Sequence, residues 1–343
     1  MKRLGVLLLG TMLFSSVLAS YAYPQEPRRL GMNTTFRTFR EEVKSIEELG
    51  VGTIRVPLQW KSVKISPGEY DWSTADRLLS VAQTKQMDVL FNICTTFRQE
   101  VQKPRNRRIP TQLDRPSKEK EEWVDFVKAL ASRYRGQGVS YEIENEVNEG
   151  TLWKRTLDRY LELLKAGYEA IKKADPKARV LPSAMGCGIL RNVPSGWVAE
   201  KDWKWHDSWL QRILSAKDFD VVNIHNYYFP SEIVANGLTF QSYLEHIRDL
   251  MMKSGSGDRP IWITETGFVS LPSDASGRMD DGSYEKQAAW LTKAYQQAFN
   301  SGVERIYWLL LRDRKEPYFG SMGLMNAKGD PRPAWNAFRE FSK

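Results

Sequence analysis

Two short runs carry carboxylates where chemistry can use them. Tyr141-Glu142-Ile143-Glu144-Asn145-Glu146 ends in a glutamate that follows an asparagine, and Ile261-Trp262-Ile263-Thr264-Glu265-Thr266-Gly267 carries a glutamate after a second apolar run. Each Glu alone reads as an ordinary solvated strand-end residue. A glutamate closing two such runs more than a hundred residues apart suggests instead a pair facing one another across a cleft. Such a pair is what cleavage of a glycosidic bond needs: one carboxyl group to protonate the leaving oxygen, and the other to act as nucleophile or base.

The elements that must hold this pair are legible along the chain. After Pro24, short apolar or β-branched runs alternate with helical patterns, the signature of a parallel sheet with helical crossovers. Strands are expected near 30–33, 51–56, 88–93, 140–143, 179–182, 220–224, 261–264 and 305–310. Trp123, Phe126, Val127, Leu130 and Tyr134 trace one helical face, and Leu157, Tyr160, Leu161, Leu164, Tyr168 and Ile171 trace another. Further helices fit 40–49, 74–83, 207–214, 240–252, 285–300 and 333–341. With no Gly/Ser linker and no shift in composition, eight such pairs fit a single α/β domain, a closed (β/α)8 TIM barrel. Its chemistry belongs at the C-terminal ends of the strands, which is where Glu146 and Glu265 fall.

Composition narrows the class. Of 343 residues, 41% are hydrophobic and 27% charged, enough to bury a large core and unlike a disordered chain. The net charge of +8 is spread along the chain and decides little. Residues 1–22 read as a signal peptide: Lys2 and Arg3 lead, an apolar stretch follows, and small residues close it. The expected organisation is a leader over 1–22 and a catalytic barrel over 23–343, a secreted or periplasmic monomer without stable membrane insertion once the leader is removed. Cys94 and Cys187 are too few for a disulfide framework and leave room for one bridge. Between Arg98 and Lys120 eight Lys or Arg face three acids; this reads as solvated charge, with an acidic polysaccharide as the functional alternative.

Around the two glutamates the chain resembles the retaining (β/α)8 glycoside hydrolases of clan A. The resemblance rests on Ile54-Arg55-Val56-Pro57 with Trp60, Pro67-Gly68-Glu69-Tyr70-Asp71-Trp72, Ile171-Lys172-Lys173-Ala174-Asp175-Pro176, Ile224-His225-Asn226-Tyr227, Tyr307-Trp308 and the terminal Gly329-Asp330-Pro331-Arg332-Pro333-Ala334-Trp335. Family 39 β-xylosidases and exopolysaccharide hydrolases look closest, with family 5 second. Two features depart from the pattern. Glu144 and Val147 stand where members commonly carry Trp and Pro, and Phe91-Asn92-Ile93 lacks the His that many family 5 enzymes have after strand three.

The resemblance implies roles. Glu146 would be the general acid/base, with its pKa raised by apolar walls or nearby negative charge, and Glu265 the nucleophile, their carboxyl groups about 5 Å apart. Asn145 would contact the sugar's 2-hydroxyl, Tyr227 the nucleophile, and Arg55 would keep that nucleophile ionised. His225 shares a strand face with Tyr227 and would line the cleft. Trp308 would give the sugar an apolar floor, extended by Trp60 and by Trp197, Trp203 and Trp205. Ordinary packing is the alternative for each ring. Glu144 reads as a solvated rim residue.

Other classes find little support. His206, His225 and His246 are the only histidines and show no metal-ligand spacing, so neither a metal nor another cofactor is expected. The chain has no Gly-x-Ser-x-Gly elbow and no Gly-x-Gly-x-x-Gly after its first strand, and nucleic-acid binding would rest on charge alone. The expected partner is an oligosaccharide or polysaccharide. Hydrolysis, transfer to a second sugar, and non-catalytic sugar binding on the same fold all stay open.

Overall fold

The apolar alternation resolves into eight parallel strands. In the computed structural model these are β1 (Leu30–Asn33), β2 (Thr53–Gln59), β3 (Asp88–Cys94), β4 (Val139–Ile143), β5 (Val180–Pro182), β6 (Val222–Tyr228), β7 (Ile261–Phe268) and β8 (Val303–Trp308). The described residues are 29–95, 118–148, 153, 156–186, 200–228, 240–268, 281–315 and 319–343. The leader and most of the basic stretch after strand three lie outside them, as do Cys187 and Trp197, and so do the side chains of Trp203 and Trp205. Cys94 carries a buried free thiol.

A helix follows each strand: α1 (Phe36–Glu48), α2 (Ser73–Thr84), α3 (Lys118–Arg133), α4 (Leu157–Ala174), α5 (Glu200–Ala216), α6 (Phe240–Lys253), α7 (Asp281–Asn300) and α8 (Pro333–Glu340). The starts are written in the sequence. Thr35 and Thr38 form a capping box ahead of α1, Thr156 accepts from the Arg159 N–H ahead of α4, and Pro333 opens α8, where its missing N–H costs nothing.

The strands pair in the order β5-β4-β3-β2-β1-β8-β7-β6. The two ends of this sheet meet where the Asp220 N–H donates to the Val180 carbonyl at 2.7 Å, which brings the single (β/α)8 barrel close to closure. Outward residues such as Ile54, Phe91, Ile143 and Ile263 pack under the helices in the main core. Inward residues at the N-terminal end, Leu90, Leu181, Val221, Trp262 and Tyr307, form a separate buried cluster. Gly31 leaves room for it, since a Cβ there would stand 2.3 Å from the Tyr307 ring.

Strands β6 and β7 run beyond the expected 224 and 264, pairing as far as Tyr228 and Phe268, with His225, Tyr227 and Glu265 turned inward. A hairpin of Lys64–Ser66 with Glu69–Tyr70, read only as a family-like segment in the sequence, sits between β2 and α2. Among the described residues no helix is long and apolar enough to cross a membrane.

Candidate active site

Regular alternation would not deliver Glu265, and from the inward Glu142 it would deliver Glu146 but not its neighbour Asn145. On β7, Trp262 and Thr264 face the barrel interior, so period-2 geometry would turn Glu265 outward. A β-bulge intervenes: Ile224 pairs with Ile263, yet His225 pairs with Glu265, and β8 sees the same extra residue between Ile263 and Thr266. The bulge re-aims the next side chain, so Thr264 and Glu265 both point inward.

On β4 the device is different. Glu144 (φ 68°) and Glu146 (φ 46°) both adopt left-handed backbone, which non-glycine residues hold only where surrounding contacts over-determine it. Those contacts are present. The Glu144 N–H donates to the Ile93 carbonyl at 2.9 Å, Asn92 Nδ2 donates to the Glu144 carbonyl at 2.8 Å, and Glu144 Oε1 accepts the Thr95 N–H at 2.8 Å. Glu144 is therefore no solvated rim residue. It is 3% exposed and pins the end of β4 to the end of β3, and the turn it makes sends Asn145 and Glu146 into the cleft together.

Arg55 is the hub. Its Nη1 donates to Glu265 Oε1 at 2.6 Å and to Asn33 Oδ1 at 2.9 Å, and its Nη2 donates to Asn145 Oδ1 at 2.6 Å. Tyr227 donates its hydroxyl to Glu265 Oε2. His225 places Nδ1 2.9 Å from Glu146 Oε1 and 3.7 Å from Glu265 Oε2. Glu146, His225 and Glu265 offer atoms that all lie within 4.8 Å of one another. A cation could in principle take these three groups, but Glu265 is already answered by the Arg55 guanidinium and the Tyr227 hydroxyl.

The electrostatics follow from this wiring. Burial alone would raise the Glu265 pKa. The charges of His225 and Arg55, with hydrogen bonds from Tyr227 and Arg55, overcome it and bring the carboxyl down to about 2. Burial alone would lower the His225 pKa; the Glu265 charge, with the hydrogen bond and charge of Glu146, raises it above the ordinary value instead. A buried arginine is tolerable only when paired, and here burial is outweighed by Glu142 and Glu265, which push the Arg55 pKa up.

Six of the eight expected site residues thus converge: Arg55, Asn145, Glu146, His225, Tyr227 and Glu265. Two do not. Trp308 is fully buried on the outward face of β8, where its indole N–H donates to the Met322 carbonyl at 2.8 Å and its ring lies 6.2 Å from that of Trp290 on α7. Trp60 is likewise buried, its ring centroid 6.3 Å from Phe126 on α3. Both belong to the packing between barrel and helices, and neither floors the cleft. Glu142, Asn223, Asn33 and Thr264 complete the polar layer beneath the pair, and no motif in the sequence marks them. A charged residue inside an apolar strand was the available signal for Glu142, since such a group is seldom fully buried unless paired.

Residues 28–313 match the family model for Cellulase (glycosyl hydrolase family 5), and the chain belongs to that family. A β-xylosidase of Caldicellulosiruptor saccharolyticus is 25% identical over 258 residues, 66% of this chain; the chain spans about half (47%) of that relative's length. The fold is similar to that of a family 39 glycoside hydrolase from Bacteroides cellulosilyticus WH2, with a TM-score of 0.66 and 18% identity over 93% of this chain and 64% of the other. It is also similar to the xylanase XynB of Paenibacillus barcinonensis, with a TM-score of 0.63 and 12% identity over 91% and 95%. These place the chain among the clan A glycoside hydrolases, consistent with the resemblance in its motifs.

Proposed function

We propose that this chain is an exported glycoside hydrolase that cleaves β-linked oligo- or polysaccharide with retention of configuration. One observation carries the reading: Glu146 and Glu265 present oxygens within 4.8 Å of one another. Retaining pairs stand about 5–5.5 Å apart, whereas inverting pairs leave about 6.5–9.5 Å for a water.

Glu265 is the nucleophile, because three neighbours favour its ionised form. Its oxygen bonds the anomeric carbon as the glycosidic C–O bond breaks, and Glu146 gives its proton to the leaving oxygen. In the second half Glu146 takes a proton from water, the water oxygen bonds the anomeric carbon, and Glu265 leaves as carboxylate. Asn145, its carbonyl oxygen fixed by Arg55, offers its amide to the 2-hydroxyl, where a hydrogen bond that tightens in the transition state raises the rate. The name of the β-xylosidase relative makes aryl β-xylosides the first probe. Export rests on the leader-like residues 1–22.

Azide separates the two roles. Glu265→Gln should abolish turnover of every glycoside, on the order of 10⁴-fold or more. Glu146→Ala should still form the intermediate from a dinitrophenyl glycoside, and added azide should rescue it with a retained glycosyl azide. Azide with Glu265→Ala should give the inverted product. Rescue of neither variant while both fold would overturn the assignment.

A further inference from the structure

Beneath the catalytic pair lies a third carboxylate that neither half of the double displacement uses. Glu142, on β4, is fully buried. Its Oε2 accepts Arg55 Nε at 2.5 Å, and its Oε1 accepts Arg55 Nη2 at 3.0 Å and Asn223 Nδ2 at 2.9 Å. Three donors converge on two oxygens, a setting that suits an acceptor-only carboxylate and would force an amide N–H against another donor. Asn223 is itself fixed, because Thr264 Oγ1, beside the nucleophile in sequence, donates to Asn223 Oδ1 at 2.6 Å.

This grip takes the Nε edge of the guanidinium and leaves Nη1 turned toward Glu265 Oε1 at 2.6 Å. One positive charge therefore serves two carboxylates, and only one of them reacts. A guanidinium whose whole charge fell on Glu265 would stabilise the free carboxylate, and that charge is lost when the ester to the sugar forms. The free carboxylate would become a poorer nucleophile and a better leaving group.

We propose that Glu142 is a positioning residue that orients Arg55 and draws off part of its charge, so that Glu265 stays reactive as a nucleophile. This rests on the double-displacement reading, and the two can fail separately.

The test measures the two half-reactions one at a time on aryl β-xylosides, with active sites counted by a dinitrophenyl 2-deoxy-2-fluoro-β-xyloside. Per active site, Glu142→Gln should slow formation of the glycosyl-enzyme about 10- to 100-fold. The dependence on leaving group should be unchanged, because Glu146 is untouched, and breakdown of the trapped intermediate should not be slower than in the wild type. A merely structural disturbance would slow both halves together; that result, or unchanged formation, overturns the proposal. Should Glu142→Gln fail to fold, Glu142→Asp keeps the charge but withdraws it from Arg55, and should show the same asymmetry at smaller size. A substrate-free measurement keeps the two readings apart. The Arg55 Nε–H resonance, assigned by its loss in Arg55→Lys, should move in Glu142→Gln and hold nearly still in Glu265→Gln, since Nε donates to Glu142 and not to Glu265. A wild-type chain that forms no glycosyl-enzyme would sink the proposed function, while an unmoved resonance would sink the role of Glu142.

Discussion

The two ends of the barrel interior are built from the same strands and do opposite things. At the N-terminal end, Leu90, Leu181, Val221, Trp262 and Tyr307 fill the lumen. Arg305 there answers a single carboxylate, Asp88, at 2.8 Å, and its guanidinium lies over the Trp262 ring at 4.4 Å. Two residues further along three of these strands, Asn92, Asn223 and Thr264 replace the apolar layer, and Arg55 answers two carboxylates instead of one. An arginine with one carboxylate partner and an aromatic lid is packing. An arginine divided between a silent carboxylate and a reactive one has charge left to govern a reaction. The fold supplies both layers, and the register at which the interior turns from apolar to ionic decides which end carries chemistry.

Substitutions at the two ends should therefore separate stability from rate. Trp262→Ala opens a cavity in the closed end and should cost about 3–5 kcal/mol of unfolding free energy, read by urea denaturation. Its kcat/KM per folded molecule should stay near wild type. Tyr227→Phe, at the open end, removes a hydrogen bond to a charged group and should lower kcat/KM by about 10- to 100-fold. Its unfolding free energy should fall by less than that of Trp262→Ala, by about 1.5–3 kcal/mol at most, because the lost hydrogen bond also helps hold Glu265 ionised. If Trp262→Ala lost rate in the same proportion, or Tyr227→Phe lost stability instead of rate, the division between the ends would be wrong.

The layout of strands and helices was legible because alternation and 3.6-residue faces are local signals. Both glutamates could be placed at strand ends for the same reason, and His225 and Tyr227 share an inward face as their spacing requires. Facing was harder wherever the backbone left regular geometry. The bulge on β7 and the left-handed Glu144 and Glu146 depend on contacts with neighbouring strands, which no local window contains. Trp308 shows the cost of one residue of register: Tyr307 beside it points inward, so Trp308 points to the helices. An aromatic residue type says that a ring is buried or stacked, and only the strand's facing says against what.

The smallest expected effect is in the pH dependence of stability, to which the ionic end contributes through Glu265 and His225. The Glu265 pKa falls from 4.5 to about 2 on folding, so its contribution is present above pH 4.5 and is lost as pH falls through about 2. The His225 pKa rises from 6.5, so its contribution is complete below 6.5 and is lost as pH rises through the higher folded value. Each group moves at most one proton, which limits the slope to about 1.4 kcal/mol per pH unit. Glu265→Gln should flatten the acid side of the curve relative to wild type. It should also shift the alkaline loss to lower pH, because the Glu265 charge is the largest attraction opposing burial at His225. Trp262→Ala touches neither group and should lower the whole curve without changing its shape. Urea unfolding of the three chains between pH 3 and pH 9 would show it. Asp76 and Asp207, whose pKa values are also lowered, keep some acid slope in every chain, so an acid slope left unchanged by Glu265→Gln would mean that Arg55 and its neighbours do not hold that carboxylate as the geometry requires.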